Sequence, residues 1–180
     1  MTPDLISKIA AEVGTPFYLY SEQKLRQNFQ TFADAVKSLK KTTVCFAVKS
    51  NFNPTVLKIF ASMGAGADIV SGAELELALQ AGIPANKIVF SGVGKTRAEL
   101  TAAIAADIKQ INAESESEIR LIDEIALELG KTTAVGIRVN PDVDAHTHEK
   151  ITTGKKENKF GIDWNDAYRL FLSAEQFKGI

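Results

Sequence analysis

Hydrophobic positions along this chain follow two spacings that take turns. Leu5, Ile6, Ile9, Ala10 and Val13 share one helical face; Thr2-Pro3-Asp4 supplies an N-cap with proline at the first helical position, and Gly14 ends the segment. Thr15-Pro16 interrupts the pattern, and Phe17-Tyr18-Leu19-Tyr20 predicts a short strand. Ser21 then caps an amphipathic helix over Glu22 to Lys40, with Leu25, Phe29, Phe32, Ala33, Val36 and Leu39 as its buried stripe.

Beyond this point strand and helix patterns alternate regularly. Val44 to Val48 has the length and the β-branched, aromatic content of a strand buried on both faces. Asn53-Pro54 opens a helix carrying Val56, Leu57, Phe60 and Ala61, which Gly64 and Gly66 stop. Ala67-Asp68-Ile69-Val70 is the next strand; Ser71 and Glu74 have the spacing of a capping box, and the helix holding Leu75, Leu77, Ala78 and Leu79 runs to Gly82. Lys87 to Phe90 predicts a third strand, Thr96 caps a helix through Leu100, Ile104 and Ala105, and Ile108 to Ile111 predicts a fourth strand. Ser115 with Glu118 repeats the capping-box spacing before Ile119, Leu121, Ile122, Ile125, Ala126 and Leu129, and Gly130 closes that helix. Thr133 to Val139 is a fifth strand, ending in Asn140-Pro141. The polar run from Asp142 to Asn158 has no periodicity, the mark of a long functional or disordered loop. Asp163 caps a helix with Ala167, Leu170 and Phe171, and Phe177 to Ile180 opens a sixth strand.

Such alternation with short turns predicts a parallel sheet with helices outside, either closing into an eight-stranded barrel or spreading into a doubly wound sheet. No linker or compositional shift marks a second domain, and a chain stopping as a strand begins reads as the front part of something longer.

In either architecture reactive groups gather at the carboxyl ends of the strands, and Lys49 stands at such an end, followed by Ser50 and Asn51. A lysine desolvated there loses stabilisation of its charge, so the neutral amine needed for Schiff-base chemistry becomes accessible. The competing reading is a lysine reaching to water. Asp68 and Arg138 occupy comparable positions. Asp68 could hold the Lys49 amine and Arg138 could bind an acidic oxygen, or the two could pair with each other.

Composition narrows the function classes. Of 180 residues 45% are hydrophobic and 24% charged, with a formal net charge of -1, so there is no electrostatic footprint for nucleic acid or an anionic membrane. The amino terminus lacks the basic start and apolar run of a signal peptide, giving a cytoplasmic expectation. The single cysteine, Cys45, cannot form an internal disulfide and suits a small buried position. His146 and His148, near Asp142 and Asp144, form only an i, i+2 pair in a loop, which is poor metal-site spacing. Ser91-Gly92-Val93-Gly94-Lys95-Thr96 invites a phosphate-loop reading, but that pattern needs glycine where Val89 stands. A turn leading into a helix N-cap is the better account.

Several of these segments together carry a family resemblance: Thr15-Pro16-Phe17-Tyr18-Leu19-Tyr20, Phe46-Ala47-Val48-Lys49-Ser50-Asn51, Gly66 to Leu75, and Phe90 to Thr96. The most discriminating is Arg138-Val139-Asn140-Pro141-Asp142-Val143-Asp144, continued through His146-Thr147-His148, Ile151 to Gly154 and Asn158 to Ile162. The chain resembles the fold-type III pyridoxal-phosphate enzymes, most closely their diaminopimelate decarboxylase branch, over nearly its whole length. It departs at Glu149-Lys150, where that branch often has Pro-Tyr.

The resemblance implies an α/β fold, a (β/α)8 TIM-type barrel of the alanine racemase-like class. Residues 1–180 would be the N-terminal part of its cofactor-binding barrel, about five βα units and the start of a sixth strand. It implies pyridoxal 5'-phosphate as cofactor, meso-diaminopimelate decarboxylated to L-lysine, a small-molecule amino-acid substrate and a homodimer. Lys49 matches the Schiff-base lysine, Asp68 an aspartate near that amine, and Arg138 a barrel arginine close to the cofactor. The ring-stacking histidine, the glycine-rich phosphate cup, the acidic partner of the pyridine nitrogen and a C-terminal β domain would all lie downstream. The 180 residues alone are therefore expected to have little or no activity. Alternatives are a decarboxylase of arginine, ornithine or carboxynorspermidine, a non-catalytic cofactor-binding barrel, and a folded piece that binds nothing.

Overall fold

Each helix starts where a side-chain oxygen meets amides that a helix leaves unpaired. The computed structural model describes residues 2–140 and 160–180. The chain forms two compact units, residues 1–38 and 39–180.

In the first unit, α1 (Pro3–Val13) is capped by Thr2 and α2 (Glu22–Ala35) by Ser21, whose hydroxyl accepts from the Lys24 amide at 3.3 Å. Three expectations fail here. The second helix stops at Ala35 rather than Lys40, with Val36 already outside helical geometry, and no residue of either helix is buried. Phe17 to Tyr20 is not a strand, because the pattern supplies extended residues but no described neighbour supplies a ladder.

The second unit is the predicted alternation. Strands β1 (Cys45–Ala47), β2 (Gly66–Ile69), β3 (Ile88–Phe90), β4 (Gln110–Ala113) and β5 (Val135–Ile137) form one parallel sheet in chain order. Between them run α3 (Pro54–Ser62), α4 (Gly72–Gln80), α5 (Arg97–Ala105) and α6 (Glu116–Glu128). Every crossover steps to the same side, which is how a (β/α)8 barrel winds; a doubly wound sheet reverses direction at a switch point. The chain thus carries an incomplete TIM-type barrel. A separate pair, β6 (Val139–Asn140) with β7 (Ile162–Asp163), precedes α7 (Trp164–Leu172), which Asp163 caps.

Alternation along the strands sorts the two faces of the sheet. Ala67, Ile69, Ile88, Phe90, Ile111 and Ala113 are buried with Leu57, Leu75, Leu100, Ile104, Ile119, Ile122 and Ile125 of the helices, making the core on that side. Asp68, Val89, Gln110 and Asn112 take the other face and are only half-buried. The first strand differs from expectation: Cys45 to Ala47 are half-buried, because β1 has a single sheet neighbour. The fourth strand lies two residues later than predicted, the fifth breaks at Arg138, and Phe177 to Ile180 makes one ladder-like bond, Thr133 N–H to the Gly179 carbonyl at 2.9 Å, without forming a strand.

Candidate functional site

Parallel strands deliver their carboxyl ends to one edge of the sheet, and polar residues occupy that edge on every strand. Lys49 lies in a 3-10 turn (Val48–Ser50) directly after β1, Asp68 is in β2, Ser91 follows β3, Gln110 and Asn112 are in β4, Glu114 follows it, and Arg138 follows β5. Together with Gly136 and Ile137 these residues line one cavity of about 410 Å³. Lys49, Asp68 and Arg138, separated by up to ninety positions in the chain, are therefore brought together.

Their partners differ from those expected. The Ser91 hydroxyl donates to Asp68 Oδ1 at 2.5 Å, and Arg138 pairs with Glu114 Oε1 at 2.7 Å, so no Asp68–Arg138 bridge forms. Asn112 Nδ2 donates to Ser91 Oγ at 3.1 Å, and Gln110 Nε2 donates to Asn112 Oδ1 at 2.7 Å. The Glu114 side chain is only 8% exposed, and its Oε2 has no hydrogen-bond partner among the described residues. The Arg138 guanidinium also sits 5.3 Å from the centre of the Phe160 ring, a cation–π contact.

Lys49 is exposed and has no hydrogen bond or ion pair with a described residue. The desolvation expected of a strand-end amine is thus not supplied by these residues. At the start of β1, outside the cavity lining, the Cys45 thiol is pushed above its ordinary value, first by burial and then by the negative charge of Asp68. The phosphate-loop lysine takes no part in the cavity. Lys95 is buried and spends its donors on the Gly92 carbonyl (2.8 Å), the Asn112 carbonyl (2.7 Å) and Glu118 Oε1 (2.9 Å), as a turn before a helix cap allows.

From the sequence, Gln110, Asn112 and Glu114 receive no role, and Ser91 enters only as the first residue of the turn before the Thr96 cap. Their signal was present as polar residues at alternate positions of an apolar strand and directly after strand ends, and the misplaced fourth strand obscured it. His146 and His148 lie outside the described residues, as does the polar run from Asp142 to Asn158.

Known proteins share this arrangement of sequence and fold. The diaminopimelate decarboxylase of Aquifex aeolicus is 43% identical over 97% of this chain and that of Zymomonas mobilis 49% over 92%. The crystal structure of diaminopimelate decarboxylase from Helicobacter pylori complexed with L-lysine superposes with a TM-score of 0.90, at 41% identity, on 97% of this chain and 44% of that one. The chain spans about two-fifths of the length of the curated relatives it matches. The family model for the pyridoxal-dependent decarboxylase, pyridoxal binding domain, matches residues 22–180, and this chain belongs to that family.

Proposed function

We propose that this chain is the lysine-bearing part of a pyridoxal-phosphate-dependent carboxy-lyase that converts meso-diaminopimelate to L-lysine and carbon dioxide. The observation that carries the reading is a cavity at the strand ends that joins an amine with no partner among the described residues, an aspartate and a clamped arginine. Its substrate follows from the relatives, whose shared name is diaminopimelate decarboxylase.

The residues present fit the cofactor. A cavity of about 410 Å³ lies within the usual range for a small-molecule site, about 300–1,000 Å³. Lys49 offers a primary amine that no described residue occupies, the group needed to hold an aldehyde. Asp68 places negative charge in the same cavity, favouring a cation there. Glu114 engages one side of the Arg138 guanidinium and leaves its remaining donors to an anionic group. Held by these residues, the cofactor would supply a ring able to take up the electron pair left when carbon dioxide departs. In the complete enzyme the site would be finished by residues outside this segment in a homodimer.

The test is turnover by the full-length protein, supplied with pyridoxal phosphate, on meso-diaminopimelate, ornithine and arginine in parallel. Lysine and carbon dioxide are expected from the first substrate alone, with Lys49→Ala losing both turnover and the absorbance of lysine-bound cofactor. Preference for ornithine or arginine would overturn the substrate assignment, and an unchanged absorbance in Lys49→Ala would overturn the site.

A further inference from the structure

Gln110, Asn112, Ser91 and Asp68 form a hydrogen-bonded row across β4, the end of β3 and β2. Its direction follows from chemistry. An ionised aspartate only accepts, so the Ser91 proton goes to Asp68 Oδ1 and the Ser91 oxygen must accept from Asn112 Nδ2. Asn112 Oδ1 is then free to take the Gln110 amide, and every bond points towards the carboxylate. Asp68 Oδ2 makes no hydrogen bond with a described residue. One oxygen is thus pinned to the scaffold while the other remains for whatever enters the cavity.

The neighbouring strand makes room for the row. Asn112 pairs in register with Gly136 of β5. A side-chain carbon at Gly136 would come within 2.6 Å of Gln110 Nε2 and 2.7 Å of Asn112 Oδ1, closer than real contacts allow. Gly136 shows no positive φ, and the atoms that a side-chain carbon would meet are the ends of the Gln110 and Asn112 side chains, so a larger residue there would displace the row itself and not the backbone.

We propose that Ser91, aligned by Asn112 and Gln110, is a positioning residue for Asp68, fixing its carboxylate so that the second oxygen is presented to a cationic group in the cavity, Lys49 or a ligand ammonium. The inference rests on the cofactor reading above and adds residues to it. Ser91 acts through Asp68 and is not itself a catalytic residue.

Two near-isosteric variants of the full-length protein test it. Ser91→Ala removes the proton that Asp68 accepts. Asn112→Asp keeps the shape but turns a donor into an acceptor, so that two carboxylates compete for one hydroxyl proton. Both are expected to weaken pyridoxal phosphate binding about tenfold, the scale of a lost hydrogen bond to a charged group, and to move the pH midpoint of the lysine-bound cofactor's absorbance in the same direction. Ser91→Thr, which keeps the hydroxyl, is expected to hold both properties near the parent. Parental affinity and pH midpoint in Ser91→Ala, or in Asn112→Asp, would overturn the proposal while leaving the Lys49→Ala result intact. Loss of absorbance in Lys49→Ala establishes the underlying reading separately. If a variant does not fold, a crystal structure of the unmutated protein decides: Asp68 Oδ1 turned away from Ser91 overturns the proposal, and the bonded row supports it.

Discussion

Lys95 shows how a surface-type residue becomes part of the core when all its donors are used. Its side chain is 1% exposed, and it ties the turn after β3 to β4 and to Glu118 at the start of α6. Lys95→Met would leave Glu118, itself 10% exposed, without its cation, at a cost of about 3–5 kcal/mol. Urea denaturation measures this, and combining Lys95→Met with Glu118→Gln is expected to recover part of the loss because the stranded charge is gone. Cys45 offers a second residue-level check. Its thiol donates to the Lys87 carbonyl at 3.7 Å, and burial with the nearby Asp68 charge keeps the reactive thiolate scarce. Alkylation at pH 8 is expected to run well below the rate of a free cysteine, and Asp68→Asn should speed it. The apolar run around Cys45 reads as a fully buried position, but the thiol is only half-buried, because β1 has a single sheet neighbour. The inward turn of Lys95 was not legible, since it depends on carbonyls and a carboxylate far away in the chain.

The helix starts show the same limit one level up. Three segments read Ser or Thr followed three residues later by Glu, and all three hydroxyls accept the predicted amide. Only Thr96 and Glu99 close a reciprocal capping box, the Thr96 amide donating to Glu99 Oε2 at 2.9 Å. Glu74 and Glu118 reach one residue further, to the amides of Val70 (2.8 Å) and Glu114 (2.6 Å). The spacing predicts the cap; the path of the preceding strand selects the amide. Glu99 also takes the Gly72 amide at 2.8 Å, joining the starts of α4 and α5, and this bond, then those from Thr96, hold its carboxyl below the ordinary 4.5. A lowered value in the folded state means that the stabilisation is fully present above pH 4.5 and is lost as pH falls through the lowered value. The stability gap between the parent and Glu99→Gln, followed by denaturation from pH 7 to pH 3, is expected to close over that acidic interval. Thr96→Ala is expected to cost about 1 kcal/mol at neutral pH.

For the molecule as a whole, the sheet edge at β5 and the face of α7 dominate. A cavity of about 630 Å³, lined by Val135, Ile137, Trp164, Tyr168 and Phe171 among others, is apolar and holds none of Lys49, Asp68 and Arg138. Trp164 and Phe171, which line this cavity, are 64% and 71% exposed, and such apolar surface favours association. The 180-residue polypeptide is expected to self-associate at micromolar concentration in sedimentation experiments, and Trp164→Ser with Phe171→Ser should shift it towards monomer. Turnover of meso-diaminopimelate by this polypeptide alone is expected to be negligible, since it spans about two-fifths of its relatives. Among the described residues no helix is long and apolar enough to cross a membrane.

Periodicity and capping chemistry act within a few residues, so the order of elements, most helix starts and the parallel α/β class followed from the sequence directly. Lys49, Asp68 and Arg138 were expected at the same end of the strands; that Ser91 and Asn112 join them, and which groups bond, was not. Strands about 4.8 Å apart gather residues that lie on different strands of the chain, and which of them bond depends on register and on the space beside Gly136. Local forces wrote the helices and strands; long-range packing chose Ser91 as the partner of Asp68 and Glu114 as that of Arg138.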